Sequence, residues 1–211
     1  MVGRFVALSL LLAAAASADP NCPPNQFYGL GGPVKSSTLP KDSMSTDVCE
    51  LFTCGTFSAR YDIPLGSFHV STVGGIVDVI SFKVVAQDDF RVTGLPPGSP
   101  VSVVAHLSVT LLKAGAHLKD AAAHDASALA DLDPVVTDLS LPIAATAEQP
   151  FLLQVELSSI LDSAGGANGA GTLSFSGLPP GATVVSCNGY VGDQSTLARA
   201  TSWGKLKRIY R

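Results

Sequence analysis

Val101-Ser102-Val103-Val104-Ala105-His106-Leu107-Ser108-Val109-Thr110-Leu111 reads as one extended strand. Its odd positions are all apolar, and its even positions include Ser102, His106, Ser108 and Thr110. A side-chain period of two belongs to a β-strand with one buried and one wet face. Residues 151–161 repeat the pattern, with Phe151, Leu153, Val155, Leu157 and Leu161 on one side and Gln154, Glu156 and Ser158 on the other. Each stretch follows a proline, Pro100 or Pro150, and a proline can open a strand without costing a ladder hydrogen bond.

The pentapeptide Gly94-Leu95-Pro96-Pro97-Gly98 leads into the first strand, and it recurs 83 residues later as Gly177-Leu178-Pro179-Pro180-Gly181. Pro97-Gly98 and Pro180-Gly181 suit the centre of a type II turn, where proline presets φ and glycine supplies φ > 0. The sequence predicts further short strands at 50–53, 67–73, 76–85, 90–93, 138–145, 171–176 and 183–186. Gly74-Gly75 marks a turn, residues 165–169 read as a flexible loop, and Pro142 marks an edge strand or a bulge. Residues 114–133 are ambiguous. Their alanines favour helix, with Leu118, Leu129 and Leu132 at helical spacing, whereas Ala126, Ala128 and Ala130 alternate with Asp125, Ser127, Leu129 and Asp131. Regular strands on both sides favour the extended or irregular reading.

The stretch Val92-Thr93-Gly94-Leu95-Pro96-Pro97-Gly98-Ser99-Pro100-Val101 resembles the corner between consecutive strands in fibronectin type III and other immunoglobulin-like sandwiches of exported bacterial proteins. Residues 175–184 resemble the same corner. The likeness implies a sandwich, although Val101 stands where the fibronectin pattern has a tyrosine soon after the corner. Too few clear strands separate the two copies for tandem modules. The expectation is one all-β domain, a single antiparallel β-sandwich of immunoglobulin-like or jelly-roll type, over residues 49–192.

Residues 1–18 combine Arg4, an apolar run and the small-residue pattern Ala16-Ser17-Ala18, the signature of a cleaved secretory signal peptide. That predicts a secreted, periplasmic or cell-surface protein. Every later apolar run is interrupted by a charge or a proline, so no transmembrane span is expected. Residues 19–48, rich in Pro, Gly, Ser and Asn, read as an irregular arm. Residues 193–211 form a basic tail; its end, 201–211, resembles the short Trp-Gly-x-x-Lys-type tails of exported bacterial proteins. Trp203, Leu206 and Tyr210 would share one helical face there, which suits contact with an anionic surface; the competing reading is a frayed basic end. Residues 19–198 hold 7 basic side chains against 17 acidic ones, which argues against nucleic acid as a partner.

Cys22, Cys49, Cys54 and Cys187 are an even set in a chain expected to be exported, so they predict two disulfides. If residues 49–54 are extended, Cys49 and Cys54 lie about 16 Å apart and each pairs elsewhere, since a disulfide needs Cα atoms within about 7 Å. If residues 50–53 turn, Cys49 reaches Cys54 and Cys22 pairs with Cys187.

No Gly-x-Ser-x-Gly elbow, phosphate loop, His-Glu-x-x-His or EF-hand loop is present, and the expectation is a protein without catalysis. Asp120, Asp125, Asp131, Asp133 and Asp138 are the candidate metal ligands, with calcium as the ion; no other cofactor is expected. His106, His117 and His124 could meet at a metal only if their segments fold against one another. Phe27, Tyr28, Tyr61 and Tyr190 are candidates for sugar stacking, against the commoner use of aromatics in a core. The leading expectation is an exported, non-catalytic sandwich with a structural or adhesive role, its partners surface glycans or other envelope proteins. A carbohydrate-binding module, calcium-assisted, is the alternative, and a secreted hydrolase using Glu156 or the acids of 120–138 is the third.

Overall fold

A computed structural model of the chain describes residues 22–29, 32–50, 53–74, 80–161 and 166–192. The expected signal peptide, the basic tail and Gly75 lie outside them. The described residues form strands and no helix. In chain order these are β1 (Asn25–Gly29), β2 (Gly32–Ser37), β3 (Lys41–Glu50), β4 (Thr53–Asp62), β5 (Ser67–Gly74), β6 (Ile80–Thr93) and β7 (Pro100–Leu112). There follow β8 (Ala114–Asp120), β9 (Asp125–Ala130), β10 (Val135–Thr146), β11 (Phe151–Leu161), β12 (Ala167–Ser176), β13 (Thr183–Ser186) and β14 (Val191–Gly192).

The strands make two antiparallel sheets, a β-sandwich. One is six-stranded, in the order β10-β7-β12-β5-β4-β3; the other runs β14-β13-β6-β11-β8-β9, with β1 beside β6 and β2 beside β1. At its centre β5-β12-β7-β10 faces β6-β11-β8-β9. That interleaving, in which the chain changes sheet between most successive strands, is the jelly-roll order rather than the immunoglobulin one.

The alternating stretches behave as their period requires. Val101, Val103, Ala105, Leu107, Val109 and Leu111 of β7 are all buried, as are Leu153, Val155 and Leu157 of β11. Aromatic rings join the layers: Phe57 stacks on Phe82 at 4.4 Å between centroids, Phe27 on Tyr61 at 5.6 Å, and Phe90 meets Phe175 at 5.3 Å. Each pair links one sheet to the other, so these rings fill the core.

Several local expectations change. Residues 19–48, expected as an irregular arm, carry β1, β2 and most of β3; Phe27, wholly buried, anchors β1 in the core. Proline and glycine are tolerated there because β1 and β2 form an edge hairpin with a register shift between Phe27 and Tyr28. Residues 50–53, expected as a strand, straddle the connection of β3 to β4, with Glu50 opposite Thr53. Residues 114–133 form the β8–β9 hairpin, and Leu129 and Leu132 are exposed. Of the expected loop 165–169, residues 167–169 belong to β12 and Gly165 lies outside the described residues. Cβ atoms on Gly169 and Gly171 would approach Val70 and Leu107 to 3.0 and 3.1 Å, so the close-packed layer requires small residues there. Pro142 lies on β10, an edge strand, in unbroken register opposite Val104.

The disulfides are Cys22–Cys187 and Cys49–Cys54. Cys49 and Cys54 are cross-strand partners closing the β3–β4 hairpin. Cys22–Cys187 seals a gap beside β6. Strand β1 pairs with β6 at 83–85 and β13 pairs with it at 90–93, leaving residues 86–89 without a strand neighbour on that side. Side chains take over there. Gln87 N–H donates to Asn25 Oδ1 at 2.9 Å, and the Asn188 backbone and amide nitrogens donate to Asp88 at 3.1 and 3.2 Å. Asn25, Asp88 and Asn188 are all buried, so this seam satisfies backbone groups that would otherwise be stranded.

The repeated pentapeptides form two interlocked corners. The first carries the chain from β6 to β7 and the second from β12 to β13, each crossing between sheets. Their glycines match in φ: Gly94 +84° with Gly177 +78°, and Gly98 +83° with Gly181 +84°. Ser99 N–H donates to Pro96 O at 3.2 Å and Ala182 N–H to Pro179 O at 3.0 Å, closing a turn with proline second and a positive-φ glycine third.

Candidate binding face

The outward side of the six-stranded sheet is a polar surface built by strand alternation. Ser43 and Ser45 come from β3, Ser58 and Arg60 from β4, and Ser67 and His69 from β5. Beyond them, Thr172, Ser174 and Ser176 of β12, His106 and Ser108 of β7, and Asp138 and Ser140 of β10 continue the face. Hydroxyls, imidazoles and charges dominate it, because most of the large apolar side chains of these strands point inward.

At one end lies a cleft of about 590 Å³ lined by Lys41, Asp42, Ser43, Arg60, Asp62 and Leu65, among others. A shallower cleft of about 370 Å³ continues it over Ser45, Ser58 and His69. Leu65, 71% exposed, supplies an apolar lip. Asp42 is held by Lys35 at 2.7 Å; burial pushes its carboxyl up, but hydrogen bonds from Lys35, Ser37 and the Ser43 N–H outweigh this and leave it below the ordinary carboxylate value. Arg60 and Lys41 make no ion pair among the described residues. Burial pushes the His69 imidazole below its ordinary value and the Arg60 charge adds to this, against a hydrogen bond with Asn168.

At the other end, His106 sits between Ser140 and Ser174 in register. Its Nδ1 lies 3.0 Å from Asp138 Oδ2 and 3.0 Å from Ser140 Oγ, and its Nε2 lies 2.7 Å from Ser176 Oγ. Ser108 donates to Asp138 Oδ1 at 2.9 Å.

The five aspartates expected as metal ligands are dispersed. Asp120 and Asp125 bound the β8–β9 turn, Asp131 and Asp133 are exposed between β9 and β10, and Asp138 is on the outer face of the other sheet. Among the described residues the group with metal-ligand spacing is Cys22, Asp88 and Cys187, whose sulfurs are bonded to each other. The three histidines also part company, each beside its own acid: His106 with Asp138, His117 with Asp125 at 3.0 Å, and His124 with Asp120 at 2.8 Å. A groove of about 620 Å³ does border this region, but of the five acids it contains only Asp120. Glu156 accepts from Lys83 at 3.2 Å on the outer face of the eight-stranded sheet. Phe27, Tyr61 and Tyr190 are core residues at 0%, 2% and 7% exposure, and Tyr28 lies half-buried under Lys83.

The sequence signals neither Arg60 nor His69 nor, although His106 and Asp138 stand out singly as metal candidates, the Asp138–His106–Ser176 chain. The last spans three strands and 70 residues, so no local motif signals it; the signal that existed was polar identity at outward positions of β7 and β10.

No family model and no curated protein matches the chain. Among solved structures it is similar to TmCBM61 in complex with β-1,4-galactotriose, at 11% identity and a TM-score of 0.28, over 73% of this chain and 88% of that one.

Proposed function

We propose that this protein is exported and acts by adhesion, holding a hydroxyl-rich glycan on the outer face of its six-stranded sheet. The observation that carries the reading is the 590 Å³ cleft, where Arg60 and Lys41 stand beside Ser43, Asp62 and Ser67 with the Leu65 side chain at the rim. Sugar recognition asks for donors and acceptors in a shallow site with some apolar surface, and this cleft offers all three. The two disulfides are consistent with an oxidising compartment outside the cytosol. Calcium has no part in the reading, because the acids that would bind it are apart.

A glycan array probed with and without EDTA tests it. The expected result is reproducible binding unaffected by EDTA and weakened about tenfold by Arg60→Ala, the loss of one charged hydrogen-bonding group. A folded protein that binds no glycan would overturn the adhesive reading. Binding abolished by EDTA, or indifferent to Arg60→Ala, would move the site away from this cleft.

A further inference from the structure

We propose that Ser176 is an activated nucleophile that cleaves short-chain acyl esters, with His106 as its base and Asp138 orienting the base. A carboxylate can only accept, so the hydrogen between Asp138 Oδ2 and His106 Nδ1, 3.0 Å apart, belongs to Nδ1. A neutral imidazole with its hydrogen on Nδ1 presents a lone pair at Nε2. In that tautomer the Ser176 hydroxyl, 2.7 Å away, donates to it, and Ser140 Oγ, 3.0 Å from Nδ1, lies on the side of the ring that faces Asp138. Ser108 holds the second Asp138 oxygen at 2.9 Å and so fixes the carboxylate that fixes the imidazole.

A hydroxyl donating to an oriented imidazole has the arrangement that defines general-base activation of serine, recognised by geometry and not by sequence position. Ser176 is the last residue of β12, next to Gly177 at φ +78°, where the chain leaves the sheet and exposes the hydroxyl. In the reaction Ser176 Oγ attacks the ester carbonyl carbon and its proton passes to His106 Nε2. The tetrahedral adduct collapses, the carbon–oxygen bond to the alcohol breaks, and the imidazolium returns the proton to the leaving alkoxide. Water, deprotonated by the same nitrogen, then releases the carboxylic acid and restores Ser176. The open face admits an ester on a large carrier as readily as a small one. The inference departs from the expectation of a protein without catalysis and does not depend on glycan binding at the Arg60 cleft.

Labelling with a fluorophosphonate probe, with peptide mapping, and hydrolysis of p-nitrophenyl acetate test it on the disulfide-bonded protein. The wild type is expected to carry the label on Ser176 and to hydrolyse the ester above buffer. S176A should lose both, H106A should slow both by about a hundredfold, and S81A, exposed on β6 of the other sheet, should change neither. Circular dichroism melts confirm that each variant is folded. An unlabelled wild type, a label on another serine, or hydrolysis that survives S176A would overturn the assignment.

Discussion

His69 shows how one side chain reports on its surroundings. It lies on β5 between Arg60 and Ala170 in register, and partial burial together with the Arg60 charge disfavours its protonated form. The unfolded chain then takes up a proton more readily than the folded one as the pH falls through about 6.5. Stability from this residue is complete above that value and declines as the pH drops towards the lowered folded value. Urea midpoints should therefore fall between pH 7 and pH 5, and His69→Gln should flatten that part of the curve. An identical slope in the variant would show that His69 is not the responsible group.

At the scale of elements, the two corners lock each other. A Cβ built on Gly94 would lie 2.2 Å from the carbonyl oxygen of Gly181, whereas one on Gly98 would meet nothing within 4 Å. Both positions have positive φ. Gly98→Ala is thus expected to cost only the conformational penalty, about 1 kcal/mol. Gly94→Ala must also push the second corner away and break the approach of β6 to β13, so it should cost about 3 kcal/mol or more, in the range of severe backbone and packing defects. Denaturant melts of the two variants, run together, check this; equal losses would mean that the corners are independent turns. The seam beside β6 is the second device at this scale: a strand of 14 residues shares one edge between β1 and β13, and Asp88 bridges the interval. Burial pushes the Asp88 carboxyl above its ordinary value, against hydrogen bonds from Ser186, Asn188 and the Asp89 N–H.

Across the whole molecule, Cys22–Cys187 closes a loop of 165 residues and ties the first strand to the end of β13, while Cys49–Cys54 closes one of 5. Loop-closure entropy then predicts about 5 kcal/mol for the long bridge and about 2 kcal/mol for the short one. Paired serine replacements at each bridge, compared by urea unfolding, measure the difference, and a short bridge that contributes as much as the long one would refute this ordering. Mass spectrometry of unreduced peptides reads the pairing directly. Local period and turn chemistry were enough to determine an all-β sandwich, the faces of β7 and β11, and the composition of both corners, because strand alternation and positive-φ glycines act over a few residues. Residues 114–133 lay at the limit of that information, since alanine is small enough for either periodicity and only the neighbouring β11 made them a hairpin. Tertiary structure alone decided the jelly-roll order, the disulfide pairing, the scattering of the five aspartates, and the meeting of Asp138, His106 and Ser176. Those outcomes depend on which strands become neighbours, and strand pairing is set by the closing of the whole sandwich core.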